Sequence, residues 1–190
     1  MRSVVILIAC FGLPWLAGAA SAPETGKQSP YAGQQTRAIK SLSAAEIDAL
    51  TTGAGAGFAK AAELNGYPGP AHVLELADRL RLDDRQREAT RQLMDAHKAR
   101  ARQIGADLLA AEADLDGLFA RRQAEAAAVE KATQRVGTLQ AQLRAEHLNT
   151  HLLQTTLLSD EQVRRYAVLR GYASGAGGAK RHGHGHAPRH

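Results

Sequence analysis

The sequence contains very little cysteine and few aromatic residues. Its one cysteine, Cys10, lies in an N-terminal apolar run, and aromatic residues make up 4% of the 190 residues. Without a second cysteine no internal disulfide forms, so packing must stabilise the fold. Proteins that bind nucleic acids use stripes of basic residues or stacking aromatic rings, and this sequence shows neither, although its net charge is +5. Lys180, Arg181 and Arg189 place part of the basic charge in the C-terminal tail, so the predicted folded domain is close to neutral. We therefore expect no nucleic-acid partner.

Catalytic motifs are also missing. The sequence has no phosphate-binding loop, no nucleophile elbow and no zinc-protease motif. The glycine-alanine run at 53–57 is not preceded by the strand that a nucleotide-binding fingerprint requires. Carboxylates such as Glu112, Asp114 and Asp116 lie on helix faces that we expect to be solvated. The sequence therefore predicts a binding or structural protein and not an enzyme.

The N-terminus has the order of a secretory signal peptide at residues 1–20. A positive charge at Arg2 is followed by an apolar run at 4–11 and small residues at 18–20. Pro14 interrupts the apolar stretch, which is shorter than the roughly 20 residues of a membrane span, so we expect no stable membrane anchor. Cys10 also suggests lipoprotein processing. That alternative fits less well, because few residues precede the cysteine and a long apolar stretch follows it.

The rest of the chain is predicted to be one all-α domain at 37–172. It follows a flexible leader at 21–36 and precedes a glycine- and histidine-rich tail at 173–190, which we expect to be disordered. Short helices are predicted after the capping pair Ser43 and Glu46, over residues 58–64, and from Pro70 onward.

Two long helices form the centre of the predicted domain. Asp83 is a suitable N-cap for a helix that ends near Ala120, and a second long helix follows a break near Arg122. At 1.5 Å per residue each helix is about 50 Å long, too long for burial in a compact globule. We therefore predict an antiparallel helical hairpin, and Ser159 is expected to cap a last short helix.

The beginnings of the first long helix and of the last short helix share one pattern. The sequence is Leu-Asp-Asp-Arg-Gln at 82–86 and Leu-Ser-Asp-Glu-Gln at 158–162. A leucine precedes an N-cap residue, acidic residues occupy the first turn, and a glutamine completes a capping box. The four residues that define this repeated motif are Leu82, Gln86, Leu158 and Gln162.

This pair of motifs resembles the repeated leucine-threonine-x-x-glutamine motif of the Spy/CpxP family of periplasmic stress proteins. Asp83 and Ser159 stand where the family has threonine, and both are competent caps. The resemblance covers roughly residues 70–172, and residues 59–76 are similar to proteobacterial members. It implies a curved, all-helical homodimer in the periplasm that binds unfolded or misfolded clients without ATP. Relatives in the wider family instead bind zinc, nickel or cobalt.

Apolar residues along the two long helices are the candidate client surface. They recur at helical spacing, which is typical of a hydrophobic core as well as of a binding face. The candidates are Leu108, Leu115, Leu118, Phe119, Val136, Leu139 and Leu143.

Histidines suggest a metal-binding alternative. His147 and His151 are four residues apart on one predicted helix, and a turn near Arg122 places His97 opposite His147 and Met94 near His151. Imidazoles with a thioether suit a late transition metal such as zinc, nickel, cobalt or copper. The alternative is that these histidines and Met94 pack in the core or lie on the surface without binding a metal.

The tail offers a second possible metal site. It carries His182, His184, His186 and His190, which favour copper, nickel or zinc but lack preorganisation. A solvated tail explains them equally well. Three functions thus stay open: a chaperone for unfolded clients, a metal-binding or sensing protein, and a structural envelope protein.

Overall fold

The computed structural model describes residues 28–173, and this part of the chain is all-helical. The predicted fold class, an all-α chain built on a long helical hairpin, is confirmed. After a short 3₁₀ turn at Gln34–Thr36, the helices are α1 (Ala44–Thr52), α2 (Lys60–Glu63), α3 (Pro70–Glu75), α4 (Asp84–Ala120), α5 (Ala126–Thr156) and α6 (Asp160–Leu169). The predicted signal peptide and the tail histidines lie outside the described residues, and the dimer stays a prediction.

Helices α4 and α5 form the predicted hairpin. Asp83 caps α4 through a bond from the Gln86 backbone amide to the Asp83 carboxylate, at 2.7 Å. The helix ends at a tight turn in which Arg122 adopts a positive φ of 54°, and α5 then runs back along α4. We call the end of the hairpin at this turn the distal end. The opposite end, where α4 begins and α5 finishes, is the proximal end.

The distal half of the hairpin has an apolar core. Small and branched side chains interdigitate between α4 and α5, as the helical spacing of apolar residues predicts. Leu50 of α1 packs against the same cluster, because a Cβ built on Gly105 would overlap the Leu50 carbonyl oxygen and its absence lets α1 approach α4 closely. The buried apolar hairpin residues of this distal core are Ala101, Leu108, Ala111, Val136 and Leu143. The expectation that Glu112 lies on a solvated face is wrong, because it is buried and accepts a hydrogen bond from the Ser41 hydroxyl at 2.9 Å.

Helix α1 runs along α4 toward the proximal end. The Lys40 ammonium lies 3.1 Å from the Asp116 carboxylate, which fixes the segment before α1 near the distal end. At the C-terminus of α1, Gly53 has a φ of 71° and lies against α4 where a Cβ would be 3.2 Å from the Lys98 carbonyl oxygen. The chain then crosses from α4 to α5, where α2 packs.

The proximal end has a second core between α3 and α6. Tyr166 of α6 packs with Val73, Ala77, Leu80 and Leu82. Pro70 begins α3 as predicted, but α3 ends at Glu75 and the following apolar residues continue in turns. The predicted helix at 58–64 is likewise shorter, because four helical residues form α2.

The repeated motifs meet in space at this end. Gln86 and Gln162 donate a hydrogen bond to each other's side-chain oxygen, and both distances are 2.9 Å. The Gln86 amide also donates to the Leu157 carbonyl at 2.9 Å. Each glutamine thus completes the capping box of its own helix and joins it to the other, so the motif positions α6 against the start of α4.

Candidate functional site

The proximal half of the hairpin interface is polar. Five buried side chains with hydrogen-bonding groups occupy positions that continue the distal core: Thr90, His97, His147, Thr150 and Gln154. Buried polar groups cost free energy unless they are hydrogen-bonded, so this half of the interface depends on exact pairing. It is the region in which sequence analysis placed the candidate metal ligands.

His97 is held by a network that crosses the hairpin. Its Nδ1 lies 3.1 Å from Glu146 Oε1 and 3.0 Å from Thr150 Oγ1. Arg100 donates to both oxygens of the same carboxylate at 3.2 Å. Burial opposes ionisation of Glu146, but the hydrogen bonds from His97 and Arg100 outweigh it and lower the pKa of that carboxyl group. Because an ionised carboxylate only accepts, His97 Nδ1 carries the proton of this hydrogen bond.

His147 is the most buried histidine of the group. The residue is 3% exposed, and its ring stacks on Phe58 at 5.5 Å between centroids and meets the His97 ring edge-on at 4.6 Å. Burial, together with the neighbouring His97, lowers the pKa of His147 to about 4. The imidazole is therefore neutral near neutral pH. Its buried Nε2 has no hydrogen-bond partner in the described protein, which costs about 1–3 kcal/mol.

Glu63 of α2 links the proximal elements to one another. Its Oε1 accepts from the Tyr166 hydroxyl at 2.6 Å, the Tyr172 hydroxyl at 3.1 Å and Arg170 Nε at 3.4 Å. Burial, reinforced by the bond to Glu63, raises the pKa of Tyr166, so its hydroxyl stays protonated and donates. The other oxygen, Oε2, is buried without a hydrogen bond and lies 3.8 Å from His151 Nδ1.

His151 is fixed by the backbone. Its Nδ1 donates to the Tyr67 carbonyl at 2.8 Å, which places the proton on Nδ1. Gly69 lies against the ring, since a Cβ there would approach His151 Cε1 to 2.8 Å. Because Gly69 has no side chain, the turn that contains Pro68 and Pro70 packs directly against α5.

These groups surround a cavity of about 570 Å³. Its walls come from the α1–α2 connection, the start of α3, and the facing turns of α4 and α5. Gly and Ala residues at 53–57 form one wall, while His147, His151 and Glu63 line another. Lys60 and Lys98 contribute positive charge to the same cavity. Most of the wall is apolar, with a few polar atoms, as in small-ligand sites of this size.

The structure brings the predicted metal ligands together only in part. His97 faces His147 as predicted, and Met94 and His151 line the same cavity. Within residues 28–173, however, no three His, Cys, Asp or Glu side chains converge in a metal-binding arrangement. The Nδ1 atoms of His97 and His151 are engaged by Glu146 and by a backbone carbonyl, so only their Nε2 atoms are available. The metal site stays a prediction.

The predicted client surface lies mostly inside the fold. Leu108, Val136 and Leu143 are buried in the distal core, which is the alternative that their spacing allowed. The partly buried residues are Leu115, Leu118 and Leu139. Phe119, at the distal turn, is 58% exposed. Packing within the hairpin thus removes the buried leucines and valine from any surface role.

A different set of large apolar side chains is exposed at the proximal end. Sequence analysis did not select them, although the adjacent pair Leu152 and Leu153 lies off the α5 stripe and signalled exposure. These side chains belong to segments that meet around Glu63 and His151, since Tyr172 bonds Glu63 and Tyr67 bonds His151. The set, which we call the proximal apolar residues, is Leu64, Tyr67, Leu152, Leu153, Val168 and Tyr172.

Comparison with known proteins gives no family assignment. No protein-family model, curated protein or solved structure matches the chain. Among residues 28–173, no helix is both long enough and apolar enough to cross a bilayer.

Proposed function

We propose that this protein is an exported, ATP-independent chaperone of the Spy/CpxP type that holds unfolded or misfolded proteins in the periplasm. The observation that carries the proposal is the exposure of the proximal apolar residues, which belong to segments that meet around Glu63 and His151. Single exposed leucines are ordinary on protein surfaces, whereas several large apolar side chains on meeting segments are typical of interaction sites. The proposal includes a homodimer, as the resemblance implies.

The location of these residues suits transient binding. They lie in the segment after the short helix α2, in the C-terminal part of α5, and in α6 and the residues after it, and not in the distal core. The hairpin can therefore remain packed while the proximal surface binds apolar segments of a client. Nucleotide is not needed for such binding, because burial of apolar surface supplies the free energy.

Suppression of aggregation tests the proposal. The full chain at an equimolar ratio is expected to reduce light scattering by a chemically denatured client without ATP. The double variant Leu152→Ser and Val168→Ser should lose most of this effect, because these side chains are 48% and 41% exposed. Phe119→Ser at the distal turn is the matched control and should retain it. Unchanged aggregation with the wild-type chain would refute the chaperone proposal.

A metal-binding function is the second candidate. The observation that favours it is that His97, His147 and His151 border one cavity, with the Nδ1 protons of His97 and His151 directed to acceptors away from their Nε2 atoms. Metal-ligating histidines typically donate the hydrogen of their other ring nitrogen to a carboxylate or a backbone carbonyl in this way. We propose zinc, nickel, cobalt or copper as the metal, with Met94 as an accessory ligand.

Calorimetric titration separates this site from the tail. The test protein is the full chain with all four tail histidines, 182, 184, 186 and 190, replaced by serine. Saturable heat from any of the four metals, removed by His147→Gln, would support a site in the hairpin. Heat that disappears with the tail histidines alone would assign metal binding to the tail.

A further inference from the structure

We propose that a transition-metal ion joins the C-terminal tail to the cavity, with ligands from His72, His151 and the histidines of the tail. The inference rests on the proposed metal-binding function and deepens it, because it assigns the site to two parts of one chain. The tail histidines are His182, His184, His186 and His190. The metal thereby holds the chain's own tail at the cavity.

His72 and His151 have the contacts of metal-binding histidines. His151 Nδ1 donates to the Tyr67 carbonyl at 2.8 Å, and His72 Nδ1 lies 3.1 Å from Glu75 Oε2. Such a bond fixes the imidazole ring and leaves its second nitrogen for the metal. The His151 ring packs against Gly69, three residues before His72, so the ring lies at the start of α3.

The Nε2 atoms of these two histidines are accessible. Within residues 28–173, the completely buried side-chain atoms without a hydrogen bond are Glu63 Oε2, His147 Nε2 and Gln154 Oε1. The Nε2 atoms of His72 and His151 make no hydrogen bond there and are not in this buried set. The two side chains are 38% and 13% exposed and line the cavity. A group at the cavity can therefore reach both nitrogens.

The described residues do not complete a metal site by themselves. Among residues 28–173, no three His, Cys, Asp or Glu side chains are arranged to hold a metal ion. Zinc in proteins usually has four ligands, or three and a water molecule. Two imidazoles therefore need ligands from elsewhere, and the tail supplies four further histidines.

The tail begins beside this cavity. The Tyr172 hydroxyl lies 3.1 Å from Glu63 Oε1, and the other oxygen of that carboxylate lies 3.8 Å from His151 Nδ1. His182 follows Tyr172 by ten residues, which span at most about 33–36 Å when extended. The first tail histidine can therefore reach His151 while the hairpin stays as it is.

Charge makes this contact depend on the metal. The tail carries Lys180, Arg181 and Arg189 and no acidic side chain. Because Lys60 and Lys98 line the cavity, the tail and the cavity repel each other without a metal ion. A divalent ion bound by neutral imidazoles of both parts overcomes this repulsion. Metal binding therefore controls whether the tail is held at the cavity.

Calorimetric titration of the full chain with Zn²⁺, Ni²⁺, Co²⁺ and Cu²⁺ tests the shared site. The cavity variant combines His72→Asn with His151→Asn, since asparagine keeps a hydrogen-bond donor near the Nδ1 position. The tail variant has serine in place of all four tail histidines. For the metal that binds the wild-type chain most tightly, we expect one ion per chain. Each variant should bind it about 100-fold more weakly, because linked ligand sets gain at least this much from effective concentration.

The two variants separate a shared site from independent sites. Both a shared site and a tail site are lost in the tail variant, so tight binding that survives in the cavity variant would assign the metal to the tail. Tight binding that survives in the tail variant would leave the metal site of the hairpin intact. Either result would overturn the shared site, and a wild-type chain that binds none of the four metals would refute both proposals.

The matched control keeps the tail histidines and changes the tail charge. Serine in place of Lys180, Arg181 and Arg189 should retain the tight binding, because imidazoles and not basic groups bind the metal. Loss of tight binding in this control would overturn the proposal.

NMR of the unmodified chain makes the test independent of how the variants fold. The histidine Hε1 signals are followed during titration with the metal that binds most tightly. Signals of His72, His151 and the tail should change together and saturate at one equivalent. Saturation of the tail signals without a change at His72 and His151 would overturn the shared site.

A mixture of the two variants distinguishes one chain from two. The cavity variant keeps an intact tail and the tail variant keeps an intact cavity, so a site formed between two copies returns on mixing. We expect the mixture to bind the metal no more tightly than either variant alone. Restored tight binding would overturn the assignment to a single chain.

Discussion

The two halves of the hairpin use one pair of helices to make different interfaces. The distal half packs Ala101, Leu108 and Leu143 with their neighbours into an apolar core. The proximal half replaces this core by His97, His147 and other polar residues. Apolar contacts are non-directional and depend on close packing, whereas the buried polar groups of the proximal half require specific hydrogen-bond partners.

The two halves also differ in their unpaired polar atoms. All three buried side-chain atoms without hydrogen bonds in the described part of the chain belong to proximal residues: Glu63 Oε2, His147 Nε2 and Gln154 Oε1. Such atoms reduce the stability of the region in which they lie. The same region contains the cavity and the proximal apolar residues. Within the hairpin, the distal half thus contributes apolar packing, and the proximal half contains the cavity and the unpaired polar atoms.

The largest predicted effect tests the distal half. Leu143→Ala should lower the free energy of unfolding by about 2–5 kcal/mol, because it leaves a cavity in the distal core. Leu153→Ala on the same helix should change it by less than about 0.5 kcal/mol, since Leu153 is exposed. Urea denaturation followed by circular dichroism measures both. Equal losses would contradict the assignment of the stabilising core.

Acidification tests the proximal half. The pKa of His147 falls from 6.5 to about 4 on folding, so between these pH values the unfolded chain binds a proton that the folded chain does not. This residue therefore makes stability decrease as pH falls through that window, by at most about 1.4 kcal/mol per pH unit. Above pH 6.5 it contributes no pH dependence.

The matched variant for this pH dependence is His147→Gln. Urea denaturation at several pH values should show a shallower decrease for the variant between pH 6.5 and 4. The lowered pKa of Glu146 acts at lower pH, because its stabilising contribution is lost only below its ordinary value of 4.5. Identical pH profiles for both proteins would contradict the burial of a neutral His147.

Close packing of α1 on the distal half gives a third prediction. Gly105→Ala should destabilise the protein by about 1–3 kcal/mol, because the new methyl group overlaps the Leu50 carbonyl oxygen. Gly137→Ala should instead stabilise it by about 0.5–1 kcal/mol, since its Cβ meets no atom and alanine favours a helix. Thermal unfolding of the two variants compares them. Stabilisation by both would show that α1 does not press on α4.

The smallest predicted effect concerns the paired glutamines at the proximal end. A double-mutant cycle with Gln86→Ala and Gln162→Ala should give a coupling free energy of about 1 kcal/mol, because each single change removes the same reciprocal hydrogen bonds. Urea denaturation of the four proteins measures it. Additive losses would indicate that the two capping boxes act separately.

Local sequence signals predicted the elements of this fold well. Capping residues predicted where α1, α4 and α6 begin. The break near Arg122 predicted the turn of the hairpin, and this turn places His97 against His147. These features depend on neighbouring residues along the chain. Sequence analysis did not select the polar residues at core positions, such as Thr150 and Gln154, which the structure shows to be buried.

The cavity and the proximal surface were beyond sequence reasoning. The contact of Glu63 with Tyr166 joins distant parts of the chain, and helical periodicity does not specify which element covers a face. Periodicity also did not separate core leucines from surface leucines, because Leu108 and Leu143 pack against each other's helix inside one chain. Identification of the candidate site therefore depended on the tertiary structure.

Site-specific photo-crosslinking tests the central claim that unfolded protein binds the proximal end. A benzoylphenylalanine is placed at position 152 in one protein and at position 119 in another, both of which are exposed in the wild-type chain. Each is irradiated with a denatured client. We predict abundant crosslinks from position 152 and few from position 119. Crosslinks that form mainly from position 119, or equally from both, would contradict the account.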